Sequence, residues 1–303
     1  MRSWANALAI VAIVAVVACQ HAADAPVTPV TPKPSPLADR MVALLPEGAQ
    51  IIVELDLARL RANVAVGELA ASALAKLGAD AHVPGLPVLV AGSPLASADE
   101  IVLAAYGVGT EQAATVTLLA TKSDVPGGAR LSPELVALGP DEWTGQLAAR
   151  AALVDRLTIP DELRGLRAHA QPQGTTGAVL RVTARLSFDA RVALARMTGV
   201  ETAPARISLW ADVADDVAVV VDADAVDPGD KAAKDSSKRL AHTIRELLAS
   251  LEDEPAVRAL GVGPSLDGAR LVAQGTWVRT IVAVGPRHLA RVVERARAML
   301  APP

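Results

Sequence analysis

The densest group of potential ligands in this chain is a run of carboxylates. Asp222, Asp224, Asp227 and Asp230 fall within Val-Asp-Ala-Asp-Ala-Val-Asp-Pro-Gly-Asp. Clustered carboxylates on a loop are what Ca²⁺, a hard oxygen-seeking cation, selects. The spacing departs from an EF-hand, because the glycine is misplaced and position twelve from Asp222 is Ala233 rather than Glu. The competing reading is a solvated turn just past a strand, with Asp230 near the positive N-terminus of a long helix. That reading is preferred, so no metal is assigned. Other chemistry is sparser still. Gly92-Ser93-Pro94 lacks the second glycine and the strand-to-helix setting of a nucleophile elbow. The five histidines, at 21, 82, 169, 242 and 288, never place two within one helical turn, and no His-Glu-x-x-His occurs. Gly107-Val108-Gly109 reaches no third glycine, and Gly261-Val262-Gly263-Pro264 reads as a turn. No P-loop is present. The residues predict a protein that is not an enzyme and takes no cofactor.

Cys19 is different, because its flanks specify a reaction. It is the only cysteine. Met1-Arg2 supplies a positive start, Ala5 to Ala18 is almost unbroken Ala, Ile, Val and Leu, and small Ala18 precedes the thiol. The apolar run is shorter than the roughly 20 residues of a membrane span and has the length and charge of a secretory leader. The segment resembles a bacterial lipoprotein signal peptide, residues 1–18, closed by its lipobox Val16-Val17-Ala18-Cys19. The resemblance implies acylation of the Cys19 sulfur, palmitate being a typical chain, then cleavage before Cys19 and acylation of the new amino group. Several chains hold a protein on a leaflet durably where one does not. Gln20 stands where Asp would signal inner-membrane retention in Gram-negative bacteria. The expectation is therefore a cell-envelope protein on the outer membrane, facing the periplasm.

The rest of the composition agrees with export. Lipidation of Cys19 leaves no thiol for an oxidising compartment to pair. The formal net charge is −4, and no basic cluster with interleaved aromatics appears. That argues against nucleic acid as a partner. Arg outnumbers Lys 23 to 6, which reflects a GC-rich genome. Residues 19–37 join the lipid to the domain, with Pro at 26, 29, 32, 34 and 36. Proline at this density favours extended polyproline II. At about 3.1 Å per residue, the tether spans roughly 55 Å.

Residues 38–303 carry the folded region, with halves at 38–155 and 156–303. Ile51 to Leu55 reads as a strand, and Asp56 caps the helix that follows. A second helix runs from about Val64 to Leu77, and the Gly/Pro/Ser-rich 79–99 as a loop. Strands at Ile101–Gly107 and Ala114–Ala120 form a hairpin. Helices are predicted at Pro133–Leu138, Asp141–Leu153 and Pro160–His169, with no strand between 122 and 175. The second half then gives a strand at Ala178–Leu186, a helix to Met197, and a hairpin of Ile207–Val213 with Val217–Val221. A long helix follows over Lys231–Leu251, where His242 lies opposite the apolar stripe. The chain closes with strand material around Gly275 and a helix whose buried face is Leu289, Val292, Val293, Ala296 and Leu300. Trp210 and Trp277 fall on different strands, where filling an Ala/Val-rich core is their simplest role.

Strand, helix, hairpin, helix appears twice, a weak internal duplication. The predicted class is α+β, antiparallel sheet with helices on one face. Leu44-Leu45-Pro46 through Asp56-Leu57, after a leader and Pro-rich spacer, is similar to the opening of uncharacterised lipoproteins of GC-rich bacteria. That likeness covers residues 1–70 and implies no activity. The expected role is a non-catalytic structural or protein-interaction domain, held to the membrane through Cys19 and meeting other envelope proteins. The alternative is a periplasmic ligand-binding module using the space between the halves. Cys19→Ser should leave the leader uncleaved or release the protein from membranes. Fractionation of cells checks this, and normal maturation with continued membrane association would refute lipidation.

Overall fold

A computed structural model describes residues 36–72, 97–175, 177–198, 203–226 and 235–300. The leader, Cys19, the tether up to residue 35, Asp227 and Asp230 lie outside them. Among the described residues, no helix is long and apolar enough to cross a membrane.

Among the described residues, ten antiparallel strands form one sheet: β1 Ile51–Asp56, β2 Glu100–Tyr106, β3 Ala114–Ala120, β4 Ala129–Ser132, β5 Leu135–Leu138, β6 Leu180–Arg185, β7 Arg206–Val213, β8 Val217–Asp224, β9 Arg270–Gln274 and β10 Trp277–Val284. Their order is β4-β5-β3-β2-β1-β6-β7-β8-β10-β9. Read outward from the middle, each half has the same order, and the halves meet where β1 pairs antiparallel with β6. The repeated element order of the sequence is thus repeated in topology, and one sheet runs through both halves.

Register is set by side-chain alternation, since a slip of one residue would turn every side chain to the opposite face. One row crosses seven strands as Leu103, Val53, Val182, Leu209, Val221, Thr280 and Leu271. The neighbouring row on the other face reads Val102, Glu54, Arg181, Trp210, Val220, Ile281 and Arg270. One row is therefore uncharged and apolar except for Thr280, whereas the other interrupts its apolar residues with charge.

Besides helical residues 67–72, the helices are α1 Pro36–Leu44, α2 Leu57–Ala62, α3 Asp141–Ala151, α4 Asp161–His169, α5 Phe188–Thr198, α6 Ser236–Glu252, α7 Pro255–Leu260, α8 Gly263–Asp267 and α9 Pro286–Leu300. The α+β antiparallel class agrees with the sequence expectation. The helices go to both faces rather than one, because β2 and β5 are short apolar runs buried on both sides. On the charged face, Met41 and Leu44 of α1 and Leu147 of α3 pack with Val102, Val116 and Leu118. On the apolar face, Leu57 and Leu60 of α2 and Leu289 of α9 pack with Ile101, Leu119 and Val284.

The expected helix at Pro133–Leu138 and the absence of strands between 122 and 175 are both corrected. Residues 129–138 form the hairpin β4–β5, and β5 pairs with β3. A four-residue apolar run is too short for periodicity to separate strand from helix, and the open flank of β3 decided it. The strand material around Gly275 is a hairpin, with Gly275 at φ +61° in its two-residue turn, a conformation glycine adopts without strain. The fold begins within the stretch assigned to the tether, since α1 starts at Pro36 and Met41 is fully buried. Met41→Ala should therefore cost about 2–5 kcal/mol of stability. Denaturant unfolding checks this, and a loss below about 1 kcal/mol would show that α1 is peripheral.

Candidate functional site

The charged face of the sheet brings together residues far apart in sequence. Glu54 of β1 lies directly opposite Arg181 of β6, and its carboxylate is almost wholly buried. Arg167 of α4 grips both oxygens of Glu54, at 2.7 and 2.6 Å, and reaches Asp39 of α1 at 2.6 Å. Burial works against the Arg167 charge, but the hydrogen bonds and attraction from Glu54 and Asp39 outweigh it and hold the guanidinium above its usual range. Arg181 is shifted the other way, by burial first and only partly offset by Glu54. It donates to Gln171 Oε1 at 2.9 Å.

Beside this clamp is a cleft of about 310 Å³ over the β1–β6 junction. Its wall includes Arg59, which passes over Gly177 to Asp212 Oδ2 at 2.5 Å. A Cβ at Gly177 would sit 2.1 Å from the Arg59 Nη1, so no other residue fits there without moving the ion pair. Burial raises the Asp212 carboxyl above its ordinary value despite Arg59, and burial likewise raises Asp56, against the hydrogen bond from the Arg59 N–H. The space between the halves is thus occupied by charges that neutralise one another.

Asp222 and Asp224 lie within β8, not on a loop past it. Alternation explains the correction: Val221 and Ala223 turn to the apolar face, which puts both aspartates on the charged face. Neither is solvated, with relative exposures of 1% and 0%. Arg279, directly opposite on β10, donates to Asp222 through Nε at 2.8 Å and Nη2 at 2.6 Å. Arg206, directly opposite on β7, pairs with Asp224. These two carboxylates are held by guanidinium groups on neighbouring strands. Among the described residues, no group of three or more His, Cys, Asp or Glu could hold a metal ion.

His169 ends α4 above this array. Its Nδ1 lies 2.7 Å from Asp222 Oδ2, and its ring stacks on Trp277 at 3.9 Å and 16°. The Arg206 guanidinium lies 5.1 Å from the Trp277 ring centre, within cation–π range. Arg279 also donates to the His169 carbonyl at 2.9 Å, satisfying a C-terminal helix acceptor. His169, Asp222, Trp277 and Arg279, together with Arg270, Val272, Gln274 and Ile281, line an open basin of about 590 Å³. Trp210 is not part of it. That indole is buried against Ala170 and Val220, with its N–H donating to the Gly177 carbonyl at 2.7 Å. His242, on the outer side of α6, is exposed and pairs with Glu246.

A Ser/His pair does form, Ser265 Oγ to His288 Nδ1 at 3.1 Å. His288 Nε2 contacts the Gly261 carbonyl at 2.7 Å, where a catalytic triad would set a carboxylate. Ser265 is 8% exposed. The pair ties α8 to α9. Sequence reasoning missed His169, Arg206 and Arg279. The available signal was phase: Arg206, Asp222, Asp224 and Arg279 interrupt otherwise apolar strand patterns.

Removing Arg167 leaves Glu54 buried with one distant cation, Arg181 at 3.9 Å. Arg167→Ala should therefore cost about 3–5 kcal/mol, and Glu54→Gln with Arg167→Met should recover most of it. Chemical denaturation of the single and double variants checks this, and a neutral Arg167→Ala would show that the clamp contributes nothing.

No family model and no curated protein matches the chain. Among solved structures, crystal form I of TP0453 is 9% identical, with a TM-score of 0.43 over 84% of this chain and 96% of that one. Crystal form IV of TP0453 is 8% identical, with a TM-score of 0.39 over 86% and 96%. Similarity at this level carries no functional weight.

Proposed function

We propose that this chain is a lipid-anchored envelope protein whose domain binds a ligand without transforming it. The leader, Cys19 and Pro-rich tether support the anchoring, as argued from the sequence. The basin at the His169–Trp277 stack carries the binding reading. Among the described residues, its one aspartate is engaged by Arg279 and His169, and no serine, threonine or cysteine lines it. Such a surface offers recognition groups and lacks an assembled nucleophile.

The chemistry of the lining defines the ligand class. The stacked rings present a flat apolar surface, with His169 the half-exposed member. Arg270 is exposed on β9 and Arg279 partly exposed, while Asp222 offsets only one of them. The complement is a molecule with one flat apolar face and an anionic group, as in an acidic saccharide. Aromatic rings cover the C–H face of a sugar, and guanidinium groups take a carboxylate. This ligand site replaces the space between the halves, where the charges are already paired.

Titration of the protein with oligogalacturonate, followed by tryptophan fluorescence, tests the reading. Saturable quenching is expected, weakened about tenfold, or roughly 1.4 kcal/mol, by Arg270→Ala and lost in Trp277→Ala. Trp143→Phe should leave it unchanged. A neutral oligosaccharide should bind more weakly. Absence of saturable binding, or binding indifferent to Arg270 and Trp277, would overturn the proposal.

A further inference from the structure

The two outer strands of the sheet hold equivalent places in the two halves and are finished differently. At one edge, the β4 register shifts between Arg130 and Ser132. The Arg130 guanidinium there donates to the carbonyls of Thr121, Ser123 and Pro133. A shifted register and a covering cation are devices that keep an edge from pairing. At the other edge, β9 is regular along its whole length and contains no proline. Among the described residues it pairs with β10 alone. Four of its five residues are exposed, and Val272, at 39%, is one of the large apolar side chains the domain leaves in water.

We propose that β9 is a homodimer seam, at which two copies pair antiparallel about a two-fold axis through Val272. The reasoning begins at the two-residue turn. In such a hairpin the flanking pair, Gln274 and Trp277, is hydrogen-bonded, so inward pairing recurs at Val272 and Arg270. The backbone groups of Leu271 and Ala273 then point outward. With the axis at Val272, Leu271 of each copy meets Ala273 of the other, and these are the residues whose N–H and C=O groups are available. Val272 meets its own counterpart as a non-hydrogen-bonded pair, in which side chains approach most closely. Arg270 meets Gln274, so no like charges oppose. This register engages all five residues of both strands.

Arg270, Val272 and Gln274 also line the basin, so the pairing joins two basins across the seam. The pairing does not depend on what the basin binds. A five-residue strand pair is shorter than a standard stable interface requires, so association is weak in dilute solution and favoured by confinement on a membrane.

Cysteine cross-linking in the full chain, in membranes, tests the geometry. Val272→Cys should form an intermolecular disulfide under mild oxidant, because the paired Cα atoms lie within bridging range. Arg270→Cys, displaced along both strands, should give roughly tenfold less. Ala273→Pro, added to Val272→Cys, removes an outward N–H without touching the β9–β10 ladder and should suppress the cross-link with the melting temperature retained. Should Ala273→Pro itself unfold the domain, Gln274→Arg sets like charges opposite each other and should suppress it too, with Arg270→Glu restoring it. Equal yields at positions 270 and 272, no cross-link at 272, or a cross-link indifferent to the blocking variants would each overturn the pairing.

Discussion

Glu54 is a carboxylate with almost no access to water, on the strand that joins the two halves of the sheet. Withdrawing that charge from solvent costs several kcal/mol unless a partner meets it with good geometry. Arg167 is that partner, and it is carried by α4. The helix must therefore cross the β1–β6 junction, and its Leu163 and Leu166 are buried as it does so. Two residues beyond Arg167, the same helix delivers His169 onto Asp222 and Trp277. The wall of the basin is thus a consequence of how the charge at the junction is neutralised.

The same principle organises the rest of that face. Three buried acids of the sheet sit opposite or beside a guanidinium: Glu54 with Arg181 and Arg167, Asp222 with Arg279, Asp224 with Arg206. Arginine suits these positions because its planar fork meets both carboxylate oxygens and stays charged when partly buried. Chemistry needs groups whose protons or lone pairs remain free. Here the carboxylates of Glu54, Asp222 and Asp224 are engaged in holding strands and helices together. The basin differs because Arg270 and the outer part of the His169–Trp277 stack remain turned to solvent.

Local pattern was sufficient for much of the fold. Ala114–Ala120 reads as a strand with the bounds that β3 has, and Leu289, Val292, Val293 and Ala296 mark the buried face of α9, because apolar spacing within one element reports its own periodicity. The doubled element order anticipated a sheet whose halves share one strand order. Composition and the residues around Cys19 carried the expectation of an address. Short runs without periodicity were not legible, and β5 is the example. Its state depended on β3 having an open edge.

What the sequence could not determine is which charges meet. Arg279 is 57 positions from Asp222, His169 is 53, and Arg167 is 113 from Glu54. An aspartate in Val-Asp-Ala-Asp reads equally as a loop ligand or as a strand residue facing a polar partner. Only strand register distinguishes them, because register places Arg206 and Arg279 opposite those carboxylates. Periodicity is a property of one segment, so the sequence alone carries it. Pairing is a property of two segments brought together by burial of a common core, and it exists only once the chain has folded.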